Sequence, residues 1–166
     1  GDGPVPLDAA EAESYVVEAE GTRHGADVLV GDEGNDTLIG QGNDDILLGG
    51  ADNDRIWGDD QDFVNTPTQF HGSDLLIGGT GNDSLYGGYG NDVMHGYDGE
   101  DYLMGEAGND TMYGDEGKDM LNGGEGADRM FGGAGNDRFY AKDKTRDRVE
   151  RADQDHHERG EHREAD

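Results

Sequence analysis

An apolar side chain recurs every nine residues along this chain. Leu29, Leu38, Leu47 and Ile56 hold the place in a first block. Leu76, Leu85, Met94, Leu103, Met112, Leu121, Met130 and Phe139 hold it in a second. Two residues before each stands an aspartate: Asp27, Asp36, Asp45 and Asp54, then Asp74, Asp83, Asp92, Asp101, Asp110, Asp119, Asp128 and Asp137. If each repeat is numbered one to nine, aspartate falls at position six and the apolar residue at position eight. The pattern predicts a turn over positions one to six and a short strand over seven to nine. Two repeats, eighteen residues, make one coil with two strands facing opposite ways. Stacked coils then form two parallel sheets, with roughly 4.8 Å between coils. The alternation of side chains along a strand sends position eight inward and positions seven and nine outward. The expected fold is all-β, a two-sheet solenoid.

Glycine fills position four in ten of the twelve repeats. A turn this tight visits positive φ, which a β-carbon disfavours. The two exceptions, Asn43 and Asp52, are of the residue types that best tolerate that region. The aspartate is explained by stacking. Aspartates eighteen apart lie directly above one another and repel unless a hard cation sits between them. Calcium takes six to eight oxygens at about 2.3–2.6 Å, whereas magnesium demands a smaller, near-octahedral shell. All twelve aspartates are therefore candidate metal ligands. The unbroken blocks offer eight stacked pairs, and two more form, 45/74 and 54/83, if the break between the blocks loops out of the stack.

The organisation follows from the register. Residues 1–21 precede the repeats, with a helical turn expected over Leu7–Glu13 and a capping strand over Ser14–Glu20. Residues 22–140 are the repeats, interrupted by an insertion at 58–68 that reads either as a decayed repeat plus two residues or as a loop. Residues 141–151 are a worn repeat that keeps Asp147 and Val149 but not the glycines. It is expected to close the stack, hold no calcium and place Val149 over the core beyond Phe139. Residues 152–166 read as a disordered charged tail.

Composition sharpens this picture. Apolar and charged residues each make up 31%, and the formal net charge is −28. So little apolar surface cannot offset the entropy of ordering the chain. The periodicity says the opposite, and both hold if the chain folds only with a cation. The absence of cysteine excludes disulfides and thiolate metal sites. Such acidity disfavours nucleic acid and anionic lipid, and no window approaches the roughly 18 apolar residues of a membrane span. Gly1–Glu20 has no basic start or apolar run, so no signal peptide is expected there. Gly1 is not an initiator, which points to a piece of a longer protein.

Stretches such as Gly78-Gly79-Thr80-Gly81-Asn82-Asp83-Ser84-Leu85 resemble the repeats of the RTX (repeats in toxin) family, the haemolysin-type calcium-binding nonapeptides. The resemblance spans Thr22–Tyr140. It implies a right-handed parallel β-roll holding about eight to ten calcium ions on the twelve aspartates. It also implies a secreted bacterial protein that folds on meeting extracellular calcium, with a passenger domain N-terminal to Gly1. The chain ends His-Arg-Glu-Ala-Asp, unlike the aliphatic end of the family's secretion signal.

Other motifs carry less. His157-Glu158-Arg159-Gly160-Glu161 misses the H-E-x-x-H zinc motif, because Glu161 stands where the second histidine must be. No enzyme is expected. The sequons at Asn35, Asn82 and Asn109 are by-products of the turn. Position nine carries Trp57, Tyr86, Tyr113, Phe131 and Tyr140 with Ile39, Leu48 and Ile77. These suit a pleated face, or form an exposed stripe for self-association or for docking a passenger. An adhesive module using these faces or the insertion is the alternative function. Ice binding would need a row of threonines, and position seven has only Thr37 and Thr111.

Overall fold

A computed structural model describes residues 16–18, 25–59, 72–141 and 147–150. Fourteen strands appear in it: β1 (Val16–Glu18), β2 (Val28–Glu33), β3 (Thr37–Gln41), β4 (Ile46–Ala51), β5 (Arg55–Asp59), β6 (Leu75–Thr80), β7 (Ser84–Tyr89), β8 (Val93–Gly99), β9 (Tyr102–Ala107), β10 (Thr111–Gly117), β11 (Met120–Asn122), β12 (Arg129–Phe131), β13 (Arg138–Tyr140) and β14 (Arg148–Glu150). There is no helix among the described residues, and so none able to cross a membrane. Odd-numbered strands form one seven-stranded sheet and even-numbered strands the other, each in sequence order. All pairings are parallel. The result is a parallel β-roll of about 6 turns with about 18 residues per coil.

Position eight makes the core. Leu29 is 3% exposed, and Leu38, Leu47, Ile56, Leu76, Leu85, Met94, Leu103, Met112, Leu121 and Met130 are fully buried, with Phe139 packed against them at the end. The register places like on like, as in Leu76↔Met94 and Met94↔Met112.

Four expectations change. First, the strands are longer than positions seven to nine. β2 to β10 run on into the next repeat, and β1 and β11 to β14 are three residues long. Second, the break between the blocks does not begin at Gly58. Gly58 and Asp59 belong to β5, with Asp59 opposite Gln41, and Gly72 re-enters the next turn. Third, of the two readings of the break, the loop is the right one. Leu47 pairs with Leu76 and Ile56 with Leu85, a step of 29 residues in place of 18. Fourth, Val149 lies opposite Met130 in the even sheet, not beyond Phe139, and stays 37% exposed. The strand expected before the repeats is present as β1, stacked on β3. The Leu7–Glu13 turn, residues 60–68 of the insertion and the 152–166 tail lie outside the described residues.

The turns need glycine for two separate reasons. At position four, Asn43 (φ 72°) and Asp52 (φ 76°) share the left-handed conformation of the glycines, as expected. There a β-carbon would also strike the coil before, as Gly99 lies against the Gly81 carbonyl. At position one the reason is space. A β-carbon on Gly40 would collide with Asp45 Oδ2 and the Gly58 carbonyl. At position two, Asp32, Gln41, Tyr97, Glu106 and Asp115 are also left-handed, which the sequence pattern did not reveal.

Candidate metal centre

The turns bring the aspartates together in two rows on opposite edges of the roll. The first row is Asp27, Asp45, Asp74, Asp92, Asp110 and Asp128. The second is Asp36, Asp54, Asp83, Asp101, Asp119 and Asp137. In each rung the N–H of one aspartate donates to Oδ1 of the aspartate one coil on. Distances run from 2.7 Å at Asp27 N to Asp45 Oδ1 to 3.1 Å at Asp119 N to Asp137 Oδ1. The rungs cross the insertion without a gap: Asp45 N to Asp74 Oδ1 and Asp54 N to Asp83 Oδ1 are both 2.8 Å. Ten of the twelve are buried, from 0% exposed at Asp110 to 4% at Asp36. Asp27 and Asp137, at row ends, are half-buried.

That bond occupies one oxygen of each accepting carboxylate. Oδ2 of Asp45, Asp54, Asp74, Asp83, Asp92, Asp101, Asp110 and Asp119 is buried and has no hydrogen-bond partner. Each such Oδ2 faces the space that a position-one glycine leaves open. The main-chain carbonyl of the next position-one glycine converges on the same space in most turns, as Asp92 Oδ2 and the Gly105 carbonyl do at Gly87. Among the described residues no three acidic or histidine side chains converge on one point, so main-chain oxygens must complete any site. An oxygen-only set of carboxylates and carbonyls is what a hard cation such as calcium prefers.

Energetics point the same way. An ionised carboxylate buried without a counter-ion costs several kcal/mol, and ten of them exceed the roughly 5–15 kcal/mol of net stability a domain has. Burial accordingly pushes these groups up from 3.8. Asp45, Asp54, Asp101 and Asp110 rise to about 7, Asp119 to about 6, Asp74 to about 8 and Asp92 to about 9. Asp83 is raised as well. Desolvation is the largest cause throughout; the main-chain hydrogen bond opposes it, and neighbouring aspartates add to it in all but Asp83. The rows therefore demand either protons or cations.

Three features escaped the sequence reading. A second ladder runs along position five: Asn53 N donates to Asn35 Oδ1 (2.8 Å), Asn82 N to Asn53 Oδ1 (2.7 Å) and Asn109 N to Asn91 Oδ1 (2.9 Å). The frequent asparagine before the aspartate was its signal. Asp147 of the worn repeat continues the first row, accepting from Asp128 N at 3.2 Å. Asp59, at position two, is also buried, and desolvation raises it to about 7.

On the outer faces, position nine fits the pleated-face reading. Position nine is mostly half-buried, because stacking covers it. His95 and Tyr113 stack at 4.4 Å, Tyr113 and Phe131 at 4.8 Å, and Trp57 and Tyr86 at 5.3 Å between ring centres. The even sheet carries Val28, Val30, Ile46, Leu48, Leu75, Ile77 and Val93 on four adjacent strands.

A family model of the RTX calcium-binding nonapeptide repeat matches residues 25–56, 39–62, 72–103, 95–130 and 113–143, more than half the chain. The chain belongs to the RTX calcium-binding repeat family. Its gap at 63–71 falls where the register steps by 29. Searches of curated proteins and of solved structures returned no match. Calcium is the ion that this repeat family binds.

Proposed function

We propose that this RTX β-roll is a calcium-triggered folding module of a secreted bacterial protein, not an enzyme, and that the twelve position-six aspartates are its ligands. The observation that carries this reading is the array of buried carboxylate oxygens without partners. Ten aspartate rungs suggest about ten ions, and ten calcium ions would bring the formal charge from −28 to −8. In a cytosol poor in calcium the chain stays unfolded and exportable; outside, the ions fold it and with it a passenger on the N-terminal side. Calcium in the range of about 10⁻⁴–10⁻³ M, typical of extracellular modules, should convert a disordered spectrum to a β-rich one. Circular dichroism across a calcium titration tests this. A β spectrum in excess chelator at neutral pH, unchanged by calcium, would sink it. Magnesium should substitute poorly.

A second reading has its own support. The aliphatic face of the even sheet, with Val28 65%, Val30 46% and Ile46 40% exposed, suits an adhesive or docking surface, for a passenger or a second copy. Ice binding has less: Thr37 in β3 and Thr111 in β10 lie on different sheets, so they form no threonine row.

A further inference from the structure

Position two of the turn that precedes β6 is occupied by Asp59, where the family's written pattern has glycine. This aspartate is 5% exposed. Among the other paired strands from β2 to β10 main-chain pairing continues through position two, as in Gly88↔Glu106 and Tyr89↔Ala107. Between β5 and β7 it stops at Trp57↔Tyr86. The Asp59 side chain spans the gap: its Oδ2 accepts from Tyr89 N at 2.7 Å. Oδ1 is buried and completes no hydrogen bond.

Asp59 stands beside the first acid row. Asp74 Oδ2, likewise buried and without a partner, lies over Gly58, the residue next to Asp59, and the Gly87 carbonyl converges there. We propose that Asp59 is an additional calcium ligand, joining Asp74 Oδ2 and the Gly87 carbonyl in a site at the insertion junction. This rung carries one more carboxylate than its neighbours. Charge count tunes calcium affinity, so this site binds more tightly than the other rungs of its row. A cation here ties the two repeat blocks together where the main-chain ladder is broken.

The proposal rests on the calcium reading, and the test separates the two. Asp59→Asn keeps a side-chain oxygen for Tyr89 N but removes the charge. Asp32→Asn, at an exposed position two, is the control. Calcium calorimetry on the full chain should show Asp59→Asn losing the tightest phase, by one ion or by about ten-fold or more in affinity. Asp32→Asn should match the wild type. Trp57, the sole tryptophan, lies two residues before Asp59. Terbium emission sensitised through it should therefore rise within the first equivalents in the wild type and be delayed in Asp59→Asn. If Asp59→Asn folds and both titrations are unchanged, Asp59 is only a hydrogen-bond acceptor and the proposal fails. If Asp59→Asn does not fold, the wild-type terbium titration decides, and the absence of an early tryptophan-sensitised phase overturns the proposal. A wild type that binds no calcium overturns the function itself.

Discussion

The core and the acid rows are buried to the same degree by opposite chemistry. Leu85 is fully buried and Asp83, two residues earlier, is 2% exposed. The leucine enters the interior because that removes apolar surface from water, and it gains in any solvent condition. The aspartate enters because the turn carries it there, and it leaves an oxygen unpartnered. Half the interior is therefore unconditional and half awaits an ion. A core of single side chains per repeat is thin beside ten buried carboxylates, and the proposed calcium gating of the fold rests on that imbalance.

The strongest way to break this comparison is to replace the ion with protons. The buried aspartates rise from 3.8 to between about 6 (Asp119) and about 9 (Asp92) in the fold. Each binds its proton more tightly folded than unfolded. The metal-free fold therefore has this contribution in full below about pH 4 and loses it as the pH climbs through about 6 to 9. Calcium-free protein should gain β-signal in circular dichroism on acidification from pH 8 to 4.5. A calcium-free chain equally disordered at both pH values would show that the aspartates are not what gates the fold.

Paired substitutions sharpen it. Leu85→Ala should cost about 2–5 kcal/mol in urea unfolding, with calcium at pH 7 and without it at acid pH alike. Asp110→Asn should weaken the calcium-loaded form clearly. In the acid, metal-free form it should cost within about 1 kcal/mol, since an amide replaces a neutral carboxyl of the same shape. Equal losses for both variants in both conditions would erase the distinction.

Position within a row sets a smaller difference. Asp110 serves two rungs, Asp92 N to Asp110 Oδ1 and Asp110 N to Asp128 Oδ1. Asp137 serves one described rung, from Asp119 N. Calorimetric stoichiometry should fall by two ions in Asp110→Ala and by one in Asp137→Ala. The same loss in both would mean that ions do not bridge successive coils. The smallest effect belongs to the outer ladder. Asn91→Ala removes the acceptor for Asn109 N, at an exposed edge, and should cost about 0.5–1.5 kcal/mol with the ion count unchanged.

Much of this was legible in the chain. A nine-residue period with one apolar position fixes a coil of two repeats, because strands alternate faces and a single inward residue per strand leaves only a narrow shared core. The same period stacks every aspartate on its counterpart, so the two rows follow from spacing, and the repeat pattern carries the resemblance that points to calcium. Glycine at position four, and the two residues that replace it, mark the left-handed turn before any coordinates are known.

What the chain could not settle is parity. Eleven extra residues are compatible with one more repeat or with none, and the two options send every later strand to opposite sheets. The structure chooses none: Leu47 meets Leu76 across a step of 29. That choice gathers Val28, Ile46, Leu75 and Val93 on one outer face, joins the rungs 45/74 and 54/83, and buries Asp59 against Tyr89. These are long-range consequences of where an interrupted chain rejoins its own stack. Local spacing cannot carry them, because it is identical on both sides of the break.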